Sequence, residues 1–147
     1  MQLLLPILMT LIAGIGIAIQ PPTNAVLARA SGSVLLAALI SFAVGTAILL
    51  VVWAFSDRGS IAGLRQVPWW SWLGGLYGAV FVSAAAYAAP RLGLATMLTL
   101  AIGTQLTAAL VIDQFGLLGL ARSPVTPVRL AGLVLLLAGV ALMLRRG

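Results

Sequence analysis

SVLLAALISFAVGTAILLVVWAF, Ser33 to Phe55, runs for twenty-three residues without a charged side chain. A hydrocarbon core about 30 Å thick takes roughly 20 apolar residues to cross as a helix, so this stretch reads as a membrane span. Ser31-Gly32-Ser33 ahead of it supplies a helix start. Behind it, Ser56-Asp57-Arg58-Gly59-Ser60, continuing to Gln66, is the first polar loop.

The rest of the chain reads the same way. Of 147 residues, 63% are hydrophobic and 7% charged, with a mean hydropathy of +1.21. A soluble domain carries about 25% charged residues, and a body this small has too much surface to hide so much apolar area. Lipid is therefore the solvent. The length leaves room for spans and short loops, and none for a separate soluble domain. Residues 1–147 form one transmembrane domain, with helices expected at about residues 3–29, 33–55, 68–89, 92–114 and 127–145. The expected fold is all-α with five transmembrane helices.

Within the first span, Pro21 and Pro22 free carbonyls one turn back and should kink or loosen the helix. The opening MQLLLPILMTLIAGIGIAIQ resembles a signal sequence only superficially, because it lacks a basic leader region and runs straight into further spans. It is read as a retained helix. Pro68-Trp69-Trp70-Ser71-Trp72 opens the third span, with Pro suited to a first helical turn and clustered Trp suited to the headgroup level. The third span ends at Ala89-Pro90-Arg91 and the fourth begins at Leu92. From Gly116 to Pro127 the chain reads as a loop.

With no Cys and no His, zinc sites, thiol chemistry, disulfides and imidazole catalysis drop out. No metal or cofactor is expected, and the constellations an enzyme needs are missing. The net charge of +6 comes from eight Arg, all but the final pair scattered singly among apolar runs, against two Asp. That pattern fits basic flanks on membrane helices and argues against nucleic acid as a partner.

Orientation normally follows an excess of Lys and Arg on the cytoplasmic side. Here Arg58, Arg65, Arg122 and Arg129 fall on the side of the N-terminus, and Arg29, Arg91, Arg145 and Arg146 on the other. Four against four gives no preference. Such a chain can insert both ways, and two oppositely oriented copies can pair as an inverted repeat about a site near the midplane. An antiparallel, dual-topology dimer is the expectation; a local asymmetry that still fixes one orientation is the alternative.

No charge sits in mid-span, so chemistry falls to amides and hydroxyls. Ala13, Gly16, Gln20 and Asn24 recur at helical spacing. Gln and Asn at such depth should face protein or water. They either satisfy the carbonyls freed by Pro21 and Pro22 or bind substrate. Ser71, Gly75, Ala79, Ser83 and Tyr87 form a small-residue stripe in the third span, read mainly as helix contact; Ser83 and Tyr87 are candidate substrate-binding residues, with Tyr87 read first as an interface anchor and otherwise as an aromatic cavity wall. Gln105 shares a face with Ala109 and Asp113 and is the deepest strong hydrogen-bonding group of the fourth span. Asp113, near a span end, is expected to pair with Arg129 or Arg122; a proton relay is the competing role. Gly132 and Gly139 in the fifth span mark a close helix seam, within one chain or across a dimer.

Gln20-Pro21-Pro22-Thr23-Asn24-Ala25, Gly32-Ser33 and Ser41-Phe42-Ala43-Val44-Gly45 resemble the first half of YdcZ-type inner-membrane proteins. Gly103-Thr104-Gln105-Leu106 and Ile112-Asp113-Gln114-Phe115-Gly116 are similar to their fourth span. The segment from Arg129-Leu130-Ala131-Gly132 to Leu137-Ala138-Gly139-Val140 resembles the closing helix of the wider drug/metabolite transporter superfamily. The resemblance implies a short bacterial exporter of the inner membrane, related to the small multidrug resistance proteins. It also implies assembly with a second copy or close paralogue in opposite orientation. Those multidrug proteins carry a Glu in the middle of their first helix, where this sequence has only small and apolar residues. A neutral or amphipathic metabolite therefore fits better than a cationic drug exchanged for protons. A dual-topology channel and a non-transporting scaffold are the other readings.

Overall fold

The computed structural model describes residues 3–56, 59 and 61–145. Asp57, Arg58 and Arg146 of the charge tally lie outside them. The described chain forms five helices, α1 (Leu4–Ser31), α2 (Val34–Phe55), α3 (Gly74–Leu92), α4 (Leu94–Phe115) and α5 (Pro127–Leu144), with 3₁₀ turns at Ile61–Gln66 and Trp69–Leu73. Each helix, with Trp69–Leu73 counted into the third, is long and apolar enough to cross a membrane. The chain divides into two compact units, Met1–Arg91 and Leu92–Gly147.

In the first unit α1 and α2 pack against each other across a two-residue connection. Gly32 takes the left-handed conformation (φ 70°) that ends α1, a role glycine fills without a Cβ penalty. Ser33 then caps α2, its Oγ accepting from the Leu36 amide at 3.2 Å. α3 meets α2 where Gly78 faces Phe42, close enough that a Cβ would stand 3.2 Å from the ring. Most of the buried positions are small: Pro21, Asn24 and Ala25 on α1, Ala37 and Ala38 on α2, Val82, Ala85, Ala86 and Ala89 on α3. Small residues let helices approach closely where the surrounding lipid is as apolar as the side chains.

α1 continues through Pro21 and Pro22 to Ser31, as the sequence led us to expect, with its ladder two donors short. One sequence expectation changes here. The segment read as a polar loop up to Gln66 folds its second half into the 3₁₀ turn Ile61–Gln66. The Trp cluster likewise enters on a 3₁₀ turn, closed by the Ser71 amide on the Pro68 carbonyl at 3.0 Å, and the α-helix proper starts at Gly74.

In the second unit α4 and α5 pack together around Gly103, where an added Cβ would lie 3.2 Å from Val140 Cγ2 and 3.7 Å from Leu137 Cδ2. The seam expected at Gly132 and Gly139 is not the close contact within the chain: a Cβ at either would meet nothing within 4 Å. Gly132 instead lines a hollow opposite Leu106 and Ala109 of α4, and the close approach falls to Val140 and Leu137.

The segment between these helices is folded back and pinned. Gly116 ends α4 in the left-handed region (φ 61°), with the Leu117 amide on the Ile112 carbonyl at 3.0 Å. The Ser123 amide reaches the Asp113 carbonyl at 2.8 Å. Arg122 Nε donates to the Gln114 carbonyl at 3.0 Å, and the Val125 amide donates to Gln114 Oε1 at 2.7 Å. Thr126 then caps α5, accepting from the Arg129 amide at 3.3 Å, with Pro127 in its first turn.

Candidate functional site

Five threonines in the spans satisfy their own hydroxyls. Thr10, Thr23, Thr99, Thr104 and Thr107 each donate to a carbonyl one turn back on their own helix, at 2.7–3.0 Å. An amide side chain has two N–H donors and an acceptor to place, and a short hydroxyl's local solution does not meet all of them. The spans' amides therefore stand apart chemically.

Asn24 is the sharpest case. It is 2% exposed, lies between buried Pro21 and Ala25, and its Nδ2 has no hydrogen-bond partner among the described residues. The alternative in which Asn24 satisfies carbonyls freed by the prolines is thereby corrected. Those carbonyls belong to residues before it on the helix, and its donor group meets none of them. Leaving such a group unpaired costs about 1–3 kcal/mol, a cost that a ligand acceptor arriving at Nδ2 would offset. Gln20, one turn earlier on α1, is half-buried. Gln105 sits near the middle of α4 and is exposed on the single chain. Neither makes a side-chain hydrogen bond within the described residues. Gln20 and Asn24 belong to the first unit and Gln105 to the second.

On α3, Ser83 is half-buried and Tyr87 exposed. The Tyr87 ring carries the Arg91 guanidinium 3.5 Å from its centroid, and Arg91 also donates to the Tyr87 carbonyl. Cation–π stacking of this kind holds an arginine in place, so Tyr87 orients Arg91 as well as offering an aromatic face.

The structure brings Asp113 and Arg129 together, Oδ2 to Nη1 at 3.4 Å, with side chains 36% and 45% exposed. Arg129 also donates to Ser123 Oγ at 3.0 Å. A pair that exposed contributes about 0–1 kcal/mol; it orients the start of α5 on the end of α4 more than it stabilises. The other partner considered for Asp113, Arg122, is turned to the Gln114 carbonyl instead. Beside the pair lies a cavity of 460 Å³, lined among others by Leu106, Ala109, Gly132 and Leu136. A second one, of 350 Å³, is lined by Gly103, Thr104, Thr107, Leu137 and Val140. Gln105 lines neither. Sequence reasoning missed Gln114, whose side chain holds the connecting segment. Its only signal was an amide directly after the last acid of a span. Among the described residues no group of three or more His, Cys, Asp or Glu could hold a metal ion.

Comparison with known proteins adds a lineage to this geometry. The family model described as "Putative inner membrane exporter, YdcZ" matches residues 5–142. The chain is also similar to "Inner membrane protein YdcZ" of Escherichia coli (strain K12), 29% identical over 141 residues that cover 91% of each chain. No solved structure matches the chain.

Proposed function

We infer the function from one premise: the chain belongs to the YdcZ inner membrane exporter family. It is accordingly a multi-pass protein of the inner membrane, in a family of exporters and not a class of enzymes. On that premise it moves a small solute by alternating access, as an antiparallel dimer of two copies or of one copy and a close paralogue. The observation that carries the site is the buried, unpaired Nδ2 of Asn24. A buried donor left unpaired in a helical span is suited to an acceptor on a solute. Gln20 extends the same chemistry in the first unit, with Ser83 and Tyr87 as further walls, and Gln105 offers it separately in the second. No carboxylate stands in the middle of a span, which favours a neutral or amphipathic solute over a cation exchanged for protons.

Support for the dimer is the even charge tally. Flux of candidate metabolites through purified protein in liposomes tests the reading. Saturable flux, lost in Asn24→Ala and reduced in Gln20→Ala and Gln105→Ala, is the expected result. Fast flux that never saturates would instead make it a channel, and flux indifferent to all three amides would remove the site.

A further inference from the structure

At one end of the first unit a cavity of 410 Å³ is lined by Ala25, Ala28 and Arg29 of α1, Val34 of α2, and Ala86, Pro90 and Arg91 of α3. Arg29 and Arg91 both line it, and among the described residues neither has a carboxylate partner. Like charges gathered around one hollow repel each other unless something negative stands between them. The hollow is there because the helix positions facing it carry alanine; its volume is within the range of small-ligand sites, about 300–1,000 Å³.

Three further features point the same way. Arg91 is held by Tyr87, through the ring beneath its guanidinium and the carbonyl that takes one of its donors, which leaves the other donors free and their direction fixed. Arg29 is committed to no hydrogen bond among the described residues. Val34 is the first residue of α2, so the partial positive charge of that helix's N-terminus faces the same space. Ser33 Oγ satisfies the Leu36 amide and leaves the earlier amides of the turn unclaimed by it.

We propose that this cavity binds a phosphate group, held by Arg29 and Arg91. Planar guanidinium forks match phosphate oxygens two bonds at a time. The group can come from the headgroup of an anionic phospholipid or from a soluble phosphorylated solute, and the chemistry at the two arginines is the same. The proposal does not rest on the transport reading, because binding alone tests it.

The full chain, purified in neutral detergent, is titrated with inorganic phosphate by calorimetry. In a second arm it is placed in nanodiscs of mixed phosphatidylglycerol and phosphatidylcholine, and the retained lipid is read by native mass spectrometry. Binding of inorganic phosphate assigns a soluble source; selective retention of phosphatidylglycerol without it assigns the headgroup. In the positive arm Arg29→Gln and Arg91→Gln each weaken binding by about tenfold or more, as expected for losing charged hydrogen bonds. Ala28→Leu fills the hollow, keeps both charges and also abolishes binding, which covers the case in which an arginine variant folds poorly. Arg65→Gln, in the 3₁₀ turn Ile61–Gln66 and not among the lining residues, removes the same charge and leaves binding unchanged. Failure of both probes overturns the proposal, as does a loss in Arg65→Gln equal to that in Arg29→Gln, which would reduce the effect to net charge.

Discussion

A buried donor without an acceptor destabilises the chain that carries it. Asn24 is one of these, and the physical consequence can be measured without knowing the solute. Truncating it removes an unsatisfied group costing about 1–3 kcal/mol and leaves a small void that costs a similar amount. Asn24→Ala should therefore melt within about 1 kcal/mol of the parent in detergent while its flux in liposomes collapses. A drop of several kcal/mol would mean that the side chain is held by a structural partner. From sequence alone, Gln20, Asn24 and Gln105 are equivalent: three amides in apolar runs. What separates them is whether each is enclosed, and enclosure of Asn24 depends on neighbours from elsewhere in the chain that no helical periodicity reveals. The threonines were easier to discount, since a hydroxyl one turn above a carbonyl bonds it in almost any helix.

At the scale of helices, the contact between α4 and α5 turns on a single glycine. Gly103 stands against Val140 so closely that a Cβ there requires the valine to give way. Gly103→Leu should cost about 1–3 kcal/mol through overpacking, and Val140→Ala in the same chain should recover much of it; unfolding in detergent measures both. Gly116 is tighter still, with φ 61° and the Arg122 amide nitrogen 3.2 Å from any added Cβ. Gly116→Val should loosen the whole segment that Gln114 and Asp113 hold, seen as faster amide exchange at Ser123 and Val125. By contrast Gly132→Ala and Gly139→Ala meet nothing within the chain and should gain up to about 1 kcal/mol of helix propensity. If these glycines form a seam between copies, the same two variants should weaken the dimer in a crosslinking assay. The five spans were readable because a long uncharged run admits one interpretation in a protein this apolar. The seam was not, because a glycine two turns from another looks alike whether its stripe faces a neighbour or lipid. The pinned segment after Gly116 was hidden for a related reason: its bonds join residues eight to eleven apart, beyond the reach of any local pattern.

For the molecule as a whole, the balance of arginines makes a prediction that neither residue nor helix can. The two membrane sides carry four Arg each, so removing two from one side should create a bias where none exists. Arg58→Gln with Arg65→Gln leaves two against four, and Arg145→Gln with Arg146→Gln leaves four against two in the opposite sense. Under the rule that basic flanks stay cytoplasmic, the first pair should fix the C-terminus inside and the second should fix it outside. Reporter fusions at the C-terminus should then give a single-compartment signal for each variant, where the parent should give both. Function supplies the decisive reading. If the working unit is two copies in opposite orientation, each variant expressed alone lacks its partner and should not transport. Expressed together, the two should restore flux, because each supplies the orientation the other has lost. Neither substitution touches Asn24, Gln105 or the Arg29–Arg91 cavity, so recovery on co-expression would isolate topology as the cause. Full activity from either variant alone would show that one orientation suffices, and the antiparallel pair would have to be given up.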